Sequence, residues 1–224
     1  MSYYPIFIDL KGKTALVVGG GVVAQRKIET LLEHGAKVHV VARELTPDLA
    51  GFVAAGKVER MGDEFHENHL DKAFMVIAAT DDAALNRQVS RSAQEMGLLV
   101  NAVDQPEDCN FIVPSALRRG DLRIAVSTSG KSPALAKKVR EDLEEHFGNE
   151  YESFLLLMGR IRKEILSRGL SQKENSRIFR ELVGSPILEA IGRKEWGQVA
   201  SILKSITQTV WTPDEVRTFC EQRN

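Results

Sequence analysis

Thr14-Ala15-Leu16-Val17-Val18-Gly19-Gly20-Gly21-Val22-Val23-Ala24-Gln25-Arg26-Lys27 is the stretch that decides the fold of this chain. An apolar, β-branched run ends in Gly19, Gly21 and Ala24, and a helix-compatible segment follows at once. That order predicts the strand, tight turn and helix N-terminus of a dinucleotide-binding βαβ unit. Gly19 permits the turn, and Gly21 lets backbone approach a pyrophosphate. Ala24 keeps helix and strand close, while the free N–H groups of the helix face the phosphates. Gly35 then breaks the helix, and Ala36-Lys37-Val38-His39-Val40-Val41 supplies the second strand. A glycine-rich turn without a nucleotide is the weaker alternative, because a strand and a helix flank the glycines on the two sides.

Outward from this unit, strands and helices continue to alternate. Thr46-Pro47 opens a short helix that Gly56 ends, and Val58 to Met61 reads as a short strand. Ala73 to Ala79 is a continuous apolar run, as a strand buried on both faces requires. Asp81 or Asp82 caps a helix carrying Leu85, Val89 and Ala93, and Gly97 stops it before the strand Leu98 to Asn101. Phe111-Ile112-Val113 is expected to form one more short strand. The fold class is therefore α/β, a Rossmann-type, doubly wound parallel sheet.

The pattern changes at Pro114. Leu122 to Ser127 alternates like a half-buried strand, and Ser132-Pro133 starts a helix that ends near Gly148. From Asn149 the sequence reads helical throughout, with capping boxes at Ser171/Glu174 and Thr212/Glu215 and a further cap at Ser185-Pro186. The expected domains are 1–113 (dinucleotide-binding), 114–148 (a strand–helix connector) and 149–224 (a small helical domain).

Composition narrows the functional classes. With 224 residues, 43% of them hydrophobic and 27% charged, the chain can bury an ordinary core. A net charge of −1 argues against generic nucleic-acid binding. Two distant cysteines, Cys109 and Cys220, fit a reducing compartment without a disulfide framework or structural zinc. No basic-then-apolar leader and no membrane-length apolar run is present, so a cytoplasmic protein is expected. His66-x-x-His69 lacks a third ligand nearby, and no metal site is expected.

Sites in such a fold lie beyond the carboxyl ends of the strands. Thr80 stands at one of these ends. Arg43 and Glu44 stand at the end of the second strand, where an acid reads a ribose 2′-hydroxyl and an arginine reads a 2′-phosphate. The residues give both signals, so NAD versus NADP stays open. The polar segment Asn101 to Asn110 follows another strand. Within it Asp104 is placed to act as a general base, with a backbone-bonding turn residue as the equal alternative. Asp108 reads as a loop acid. Between Arg118 and Arg140, seven cations stand against the single acid Asp121. They include Lys131, which sits with Ser129 at a helix N-terminus. The cluster suggests a polyanionic small molecule, and a solvated basic face is the bland alternative.

Several ordered motifs carry a resemblance. Pro5-Ile6-Phe7 comes first, followed by Val18 to Lys27 and then Ile77-Ala78-Ala79-Thr80-Asp81-Asp82. After these stand Asn101-Ala102-Val103-Asp104, Cys109 to Ser115, and Ala125 to Ala134. Over about residues 1 to 147 the chain resembles the precorrin-2 dehydrogenase/sirohydrochlorin ferrochelatase family of sirohaem synthesis. That family includes the N-terminal module of the trifunctional sirohaem synthases. No methyltransferase module follows, so the stand-alone form is the expectation. The resemblance implies NAD as oxidant and precorrin-2, a polycarboxylate tetrapyrrole, as substrate. Insertion of Fe2+ is a second activity that the sequence leaves open.

The resemblance further implies a homodimer built through residues 114 to 147. It implies Asp104 as the catalytic aspartate, Val22 and Val23 as pyrophosphate contacts, and Arg43 and Glu44 as ribose contacts. Gly19, Gly21 and Thr80 complete the expected cofactor site, and Asn101, Ser129 and Lys131 are the expected substrate contacts. Two rival readings differ in kind. One is a non-catalytic nucleotide-sensing module, and the other an NADP-dependent reductase of another acidic substrate.

Overall fold

The computed structural model describes residues 3–222. It divides into two compact units, residues 1–113 and 114–224, and each is described by itself. In the first, β1 (Thr14–Val18), β2 (Lys37–Val41), β3 (Val58–Gly62), β4 (Met75–Ala78) and β5 (Leu99–Ala102) form one parallel sheet. Its order is β3-β2-β1-β4-β5, so the winding direction switches between β1 and β4.

Strand alternation explains the two layers. Ala15 and Val17 of β1 face a cluster with Ala24, Ile28 and Leu31 of α1 (Val22–Glu33) and Leu49 of α2 (Pro47–Ala54). Leu16 and Val18 face the opposite cluster, with Val89 and Ala93 of α3 (Ala83–Glu95). Period-two side chains thus bury both faces, which is why β1 and β4 read as unbroken apolar runs. Thr46 caps α2 by accepting the Leu49 N–H at 3.3 Å, and Asp82 caps α3 through the Ala84 and Leu85 N–H groups at 2.8 and 3.1 Å.

Phe111-Ile112-Val113 is not a strand, which corrects the expectation above. The free edge of β5 is bonded by a side chain instead. Asn110 Oδ1 accepts the Val100 N–H at 2.8 Å, and Asn110 Nδ2 donates to the Leu98 carbonyl at 2.7 Å. With the Asn110 N–H on the Val100 carbonyl at 3.1 Å and the Cys109 thiol on Ala102, side chains and one backbone group answer the edge that a sixth strand would have bonded.

The second unit opens with a hairpin that the sequence reading recognised only in half. β6 (Ser115–Arg119) pairs antiparallel with β7 (Leu122–Val126) across Gly120-Asp121, where Gly120 takes φ 56°. Helix α4 (Pro133–His146) packs on this hairpin. Then come α5 (Glu150–Ser167), α6 (Gln172–Val183), α7 (Ile187–Gly192), α8 (Trp196–Thr207) and α9 (Pro213–Glu221). They close around Leu157, Ile161, Ile165, Leu182, Ile187 and Leu203. The Ser171/Glu174 and Thr212/Glu215 capping boxes are both formed. Ser185 does not cap α7; its hydroxyl donates to the Leu182 carbonyl at 2.7 Å, and Pro186 takes the cap position.

Candidate functional site

The switch between β1 and β4 opens a cavity of about 870 Å³ at the carboxyl ends of the strands. Its floor is the glycine run, and each glycine is there for a different reason. Gly19 has φ 124°, and a Cβ on it would stand 2.2 Å from the Ala79 carbonyl oxygen. A Cβ on Gly20 would stand 2.0 Å from the Glu44 carbonyl oxygen. Gly21 caps α1 and has nothing within 4 Å of an added Cβ. Gly19 and Gly20 let the chain fold tightly, whereas Gly21 keeps a space clear.

The first N–H groups of α1 have no partner within the helix and point toward that space. Val22 and Val23 in this first turn are 67% and 45% exposed, apolar surface left for something to cover. The cradle therefore fits a pyrophosphate, as the chemistry of the donors requires.

The walls come from β2, β3 and β4. The Thr46 N–H donates to the Gly20 carbonyl at 3.0 Å, holding the turn after β2 against the glycines. Glu44 lines the cavity with a carboxylate that bonds no described residue. Arg43 Nη2 reaches Glu64 Oε1 at 2.5 Å. Thr80 is fixed by Asn86, whose Oδ1 accepts the Thr80 N–H at 3.1 Å and whose Nδ2 donates to the Thr80 carbonyl at 2.9 Å.

Asp104 lies two residues past β5, in a turn stitched to β4 by the Val103 N–H donating to the Ala78 carbonyl at 2.9 Å. It is exposed, has φ 59°, and its carboxylate bonds no described residue. A non-glycine residue in the left-handed region persists only where its surroundings hold it there. Here they do. The Cys109 thiol accepts the Ala102 N–H at 3.2 Å and donates toward the Ala102 and Gln105 carbonyls at 3.2 and 3.3 Å. Gln105 Nε2 donates to the Ala83 carbonyl at 3.1 Å, and Arg87 Nε holds Asp108 Oδ2 at 3.1 Å. The segment after β5 is thereby bolted to α3, and Asp108 is the structural loop acid that the sequence suggested. Burial pushes the Cys109 thiol up, keeping it the protonated donor that the Ala102 and Gln105 carbonyls need.

Asn101 turns its amide inward: Nδ2 donates to the Phe111 carbonyl at 3.2 Å. Gly20, Asn86 and Cys109 carry no role in the sequence reading. The third consecutive glycine and an asparagine inside a helix were the available signals. Lys27, half-buried on α1, was also passed over; burial, with Arg26 nearby, lowers its pKa.

Ser129 and Lys131 lie in the second unit. Ser129 has φ 53° and Gly130 φ 78°, making a tight turn ahead of α4. The turn is closed by Thr128, whose hydroxyl accepts the Ser132 N–H at 3.1 Å and whose carbonyl accepts the Lys131 N–H at 3.0 Å. The side chains of Ser129 and Lys131 bond no described residue. The basic cluster around them is smaller than the sequence count suggested. Lys137 pairs with Glu141 at 3.8 Å, Lys138 with Asp142 at 2.6 Å, and Arg140 with Glu144. These acids follow directly after Arg140, where the run of cations ends. Among the described residues no three histidine, cysteine or acidic side chains gather as a metal site. No helix there is long and apolar enough to cross a membrane.

Known proteins share this arrangement. Residues 6–115 match the family described as "Putative NAD(P)-binding", and residues 119–146 match "Sirohaem biosynthesis protein central". Siroheme synthase 1 of Serratia proteamaculans is 38% identical over 208 residues, covering 93% of this chain and 43% of that protein. The siroheme synthase of Neisseria meningitidis serogroup C is 41% identical over 179 residues, covering 80% and 37%. The chain thus spans less than half the length of these relatives. The solved structure of SirC, precorrin-2 dehydrogenase, matches with a TM-score of 0.77 at 27% identity, covering 92% of this chain and 100% of that one.

Proposed function

This chain belongs to the sirohaem-biosynthesis family that includes precorrin-2 dehydrogenase, and on that premise we propose that it oxidises precorrin-2 to sirohydrochlorin with NAD+. One observation carries the reading. The open cradle at Gly21 and the unpaired carboxylate of Asp104 stand along one edge of one sheet, at the carboxyl ends of β1 and β5.

NAD+, when bound, supplies the hydride acceptor. The chain's residues do the rest. Gly21 and the backbone of Val22 and Val23 hold the pyrophosphate, Glu44 accepts from the ribose hydroxyls, and Thr80 forms the wall toward the nicotinamide. A saturated ring-linking carbon of the substrate gives up the hydride, and Asp104 takes the proton lost as conjugation extends, a general-base role worth about 10²–10⁴-fold. Its fixed turn supplies the positioning such a base needs. Ser129 and Lys131, at the N-terminus of α4, meet substrate carboxylates. Asn101 keeps Oδ1 as an acceptor for a substrate pyrrole N–H, its Nδ2 being spent on the Phe111 carbonyl. In the iron-insertion reading, the Asp104 carboxylate, which no described residue bonds, also accepts the pyrrole protons released as Fe2+ enters.

An anaerobic assay with precorrin-2 and NAD+ tests this. Wild type is expected to produce the sirohydrochlorin spectrum together with NADH. Asp104→Asn is the sharper variant, because asparagine tolerates the left-handed turn while losing basicity. It should turn over at least about 100-fold more slowly. Fe2+ added afterwards should change the spectrum faster than in the enzyme-free control if the second activity is present. A protein that binds NAD+ yet leaves precorrin-2 unchanged would overturn the reading in favour of a nucleotide sensor.

A further inference from the structure

We propose that Glu64 sets the cofactor selectivity of this cavity, by engaging the Arg43 guanidinium and adding negative charge where a 2′-phosphate would lie, so that NAD+ is taken and NADP+ refused. The inference rests on the dinucleotide reading above and goes beyond it, because Arg43 and Glu44 by themselves give opposite signals. Glu64 lies beyond β3, in a segment the sequence did not connect with the ribose end at all.

The backbone places it there. Register between β2 and β3 slips at Val40/Val41, so that Val41 stands opposite Gly62, and the Ala42 N–H donates to the Gly62 carbonyl at 3.0 Å. Arg60 then staples the two strand ends together. Its Nη2 donates to the Ala42 and Arg43 carbonyls at 2.8 and 2.9 Å and to Asp63 Oδ1 at 2.8 Å. With Asp63 and the Arg43 backbone fixed to one guanidinium, the next residue, Glu64, is brought within 2.5 Å of Arg43 Nη2.

Charge then decides between the two cofactors. Glu44, Asp63, Glu64, Asp81 and Asp82 line the cavity, and Arg43 is the only cation among its lining residues. Asp63 is answered by Arg60, and Asp82 by the N-terminus of α3. Glu44 and Glu64 remain at the ribose end. The Arg43–Glu64 pair is exposed, its side chains 75% and 61% accessible, so it is weak by itself and does not lock the arginine. What disfavours the phosphate is the sum: roughly two added negative charges would meet two carboxylates within about one Debye length, with Arg43, the only lining cation, shared with Glu64 and Arg60 committed to backbone carbonyls and Asp63. A 2′-hydroxyl meets no such penalty and donates to Glu44.

Calorimetric binding of NAD+ and NADP+ to the full chain tests this without any turnover. AMP and adenosine 2′,5′-bisphosphate serve as probes of the ribose end alone. Wild type should bind NAD+ at least about tenfold more tightly than NADP+, and Glu64→Gln should narrow that ratio by about tenfold. Adding Arg43→Ala to Glu64→Gln should cancel most of the gain, since the freed guanidinium is what receives the phosphate and only the relief of Glu64 repulsion remains. Concentrated salt, about 1 M, should shrink the wild-type gap. A ratio unmoved by Glu64→Gln, a gain that survives Arg43→Ala in full, or a wild type that prefers NADP+ would each overturn the proposal. A wild type binding neither dinucleotide would overturn the cofactor reading itself.

Discussion

The two units handle their polar side chains differently. In the second, cations and acids pair one helical turn apart: Lys138 with Asp142, Arg168 with Glu164, Arg177 with Glu181 and Arg217 with Glu221. At the carboxyl edge of the first unit's sheet, Asp104 and Glu44 bond nothing described, and Asp104 is held at φ 59° to stay that way. Helix-surface pairs contribute a few tenths of a kcal/mol each and serve stability. An unbonded acid in such a turn gains no hydrogen bond or ion pair from the fold, and its carboxylate stays open at the strand ends. The turn carrying Ser129 and Lys131 resembles the first unit's edge, with Ser129 at φ 53° and neither side chain bonded to a described residue.

Apolar cores are where the units should not differ, and that is the largest effect to test. Leu16 in the first and Leu203 in the second are both fully buried. Leu16→Ala and Leu203→Ala should each cost about 2–5 kcal/mol. Trp196 and Trp211, the only tryptophans of the chain, both pack against the helical cluster, so their fluorescence follows the second unit in urea. NAD+ binding reports the first. A loss below about 1 kcal/mol at either position would mean that its unit is not closed around the core described.

The glycines sharpen the comparison within the first unit. Gly20→Ala drives a Cβ into the Glu44 carbonyl and should cost about 1–3 kcal/mol of stability. Gly21→Ala meets nothing in the protein and should cost under about 1 kcal/mol as a cap change. NAD+ affinity should nevertheless fall in Gly21→Ala, because the Cβ takes the space left for the pyrophosphate. Thermal melts and calorimetry on the same two variants separate the roles. Equal effects on melting would show that Gly21 too is only structural.

What was legible in the sequence follows the same division. Repeating signals were readable: the apolar runs of β1 and β4, the Thr46 and Asp82 caps, and the two capping boxes. Each depends on residues close in the chain. What the sequence concealed depends on contacts between distant segments. Phe111 to Val113 has strand composition, yet the Asn110 side chain had already bonded the edge it would have joined. Ser115 to Arg119 was passed over because Arg118 and Arg119 break its apolar pattern, and only pairing with β7 makes it a strand. Of the residues lining the cavity, Gly19, Gly21, Arg43, Glu44 and Thr80 are legible because they follow strand ends. Glu64, Asn86 and Cys109 are not, since register, a helix-to-turn bridge and a thiol clamp bring them in.

The smallest effect is a change with pH, and it lies in the second unit's capping boxes. Hydrogen bonds from the Ser171 hydroxyl and N–H hold the Glu174 carboxyl below its ordinary value of 4.5. Those from the Thr212 N–H and hydroxyl do the same for Glu215. A carboxyl whose pKa is lowered by folding adds stability that is present above the unfolded value and lost as pH falls through the folded one. Ser171→Ala removes the cap and should cost about 1 kcal/mol near neutral pH. Below pH 4.5 the wild type loses the charged half of the same box, so its advantage over Ser171→Ala should shrink as acid is added. Urea midpoints by tryptophan fluorescence between pH 7 and pH 3 measure that gap directly. A gap that stays constant across the range would show that the Ser171 hydroxyl acts on the backbone alone, with Glu174 contributing nothing to the helix it opens.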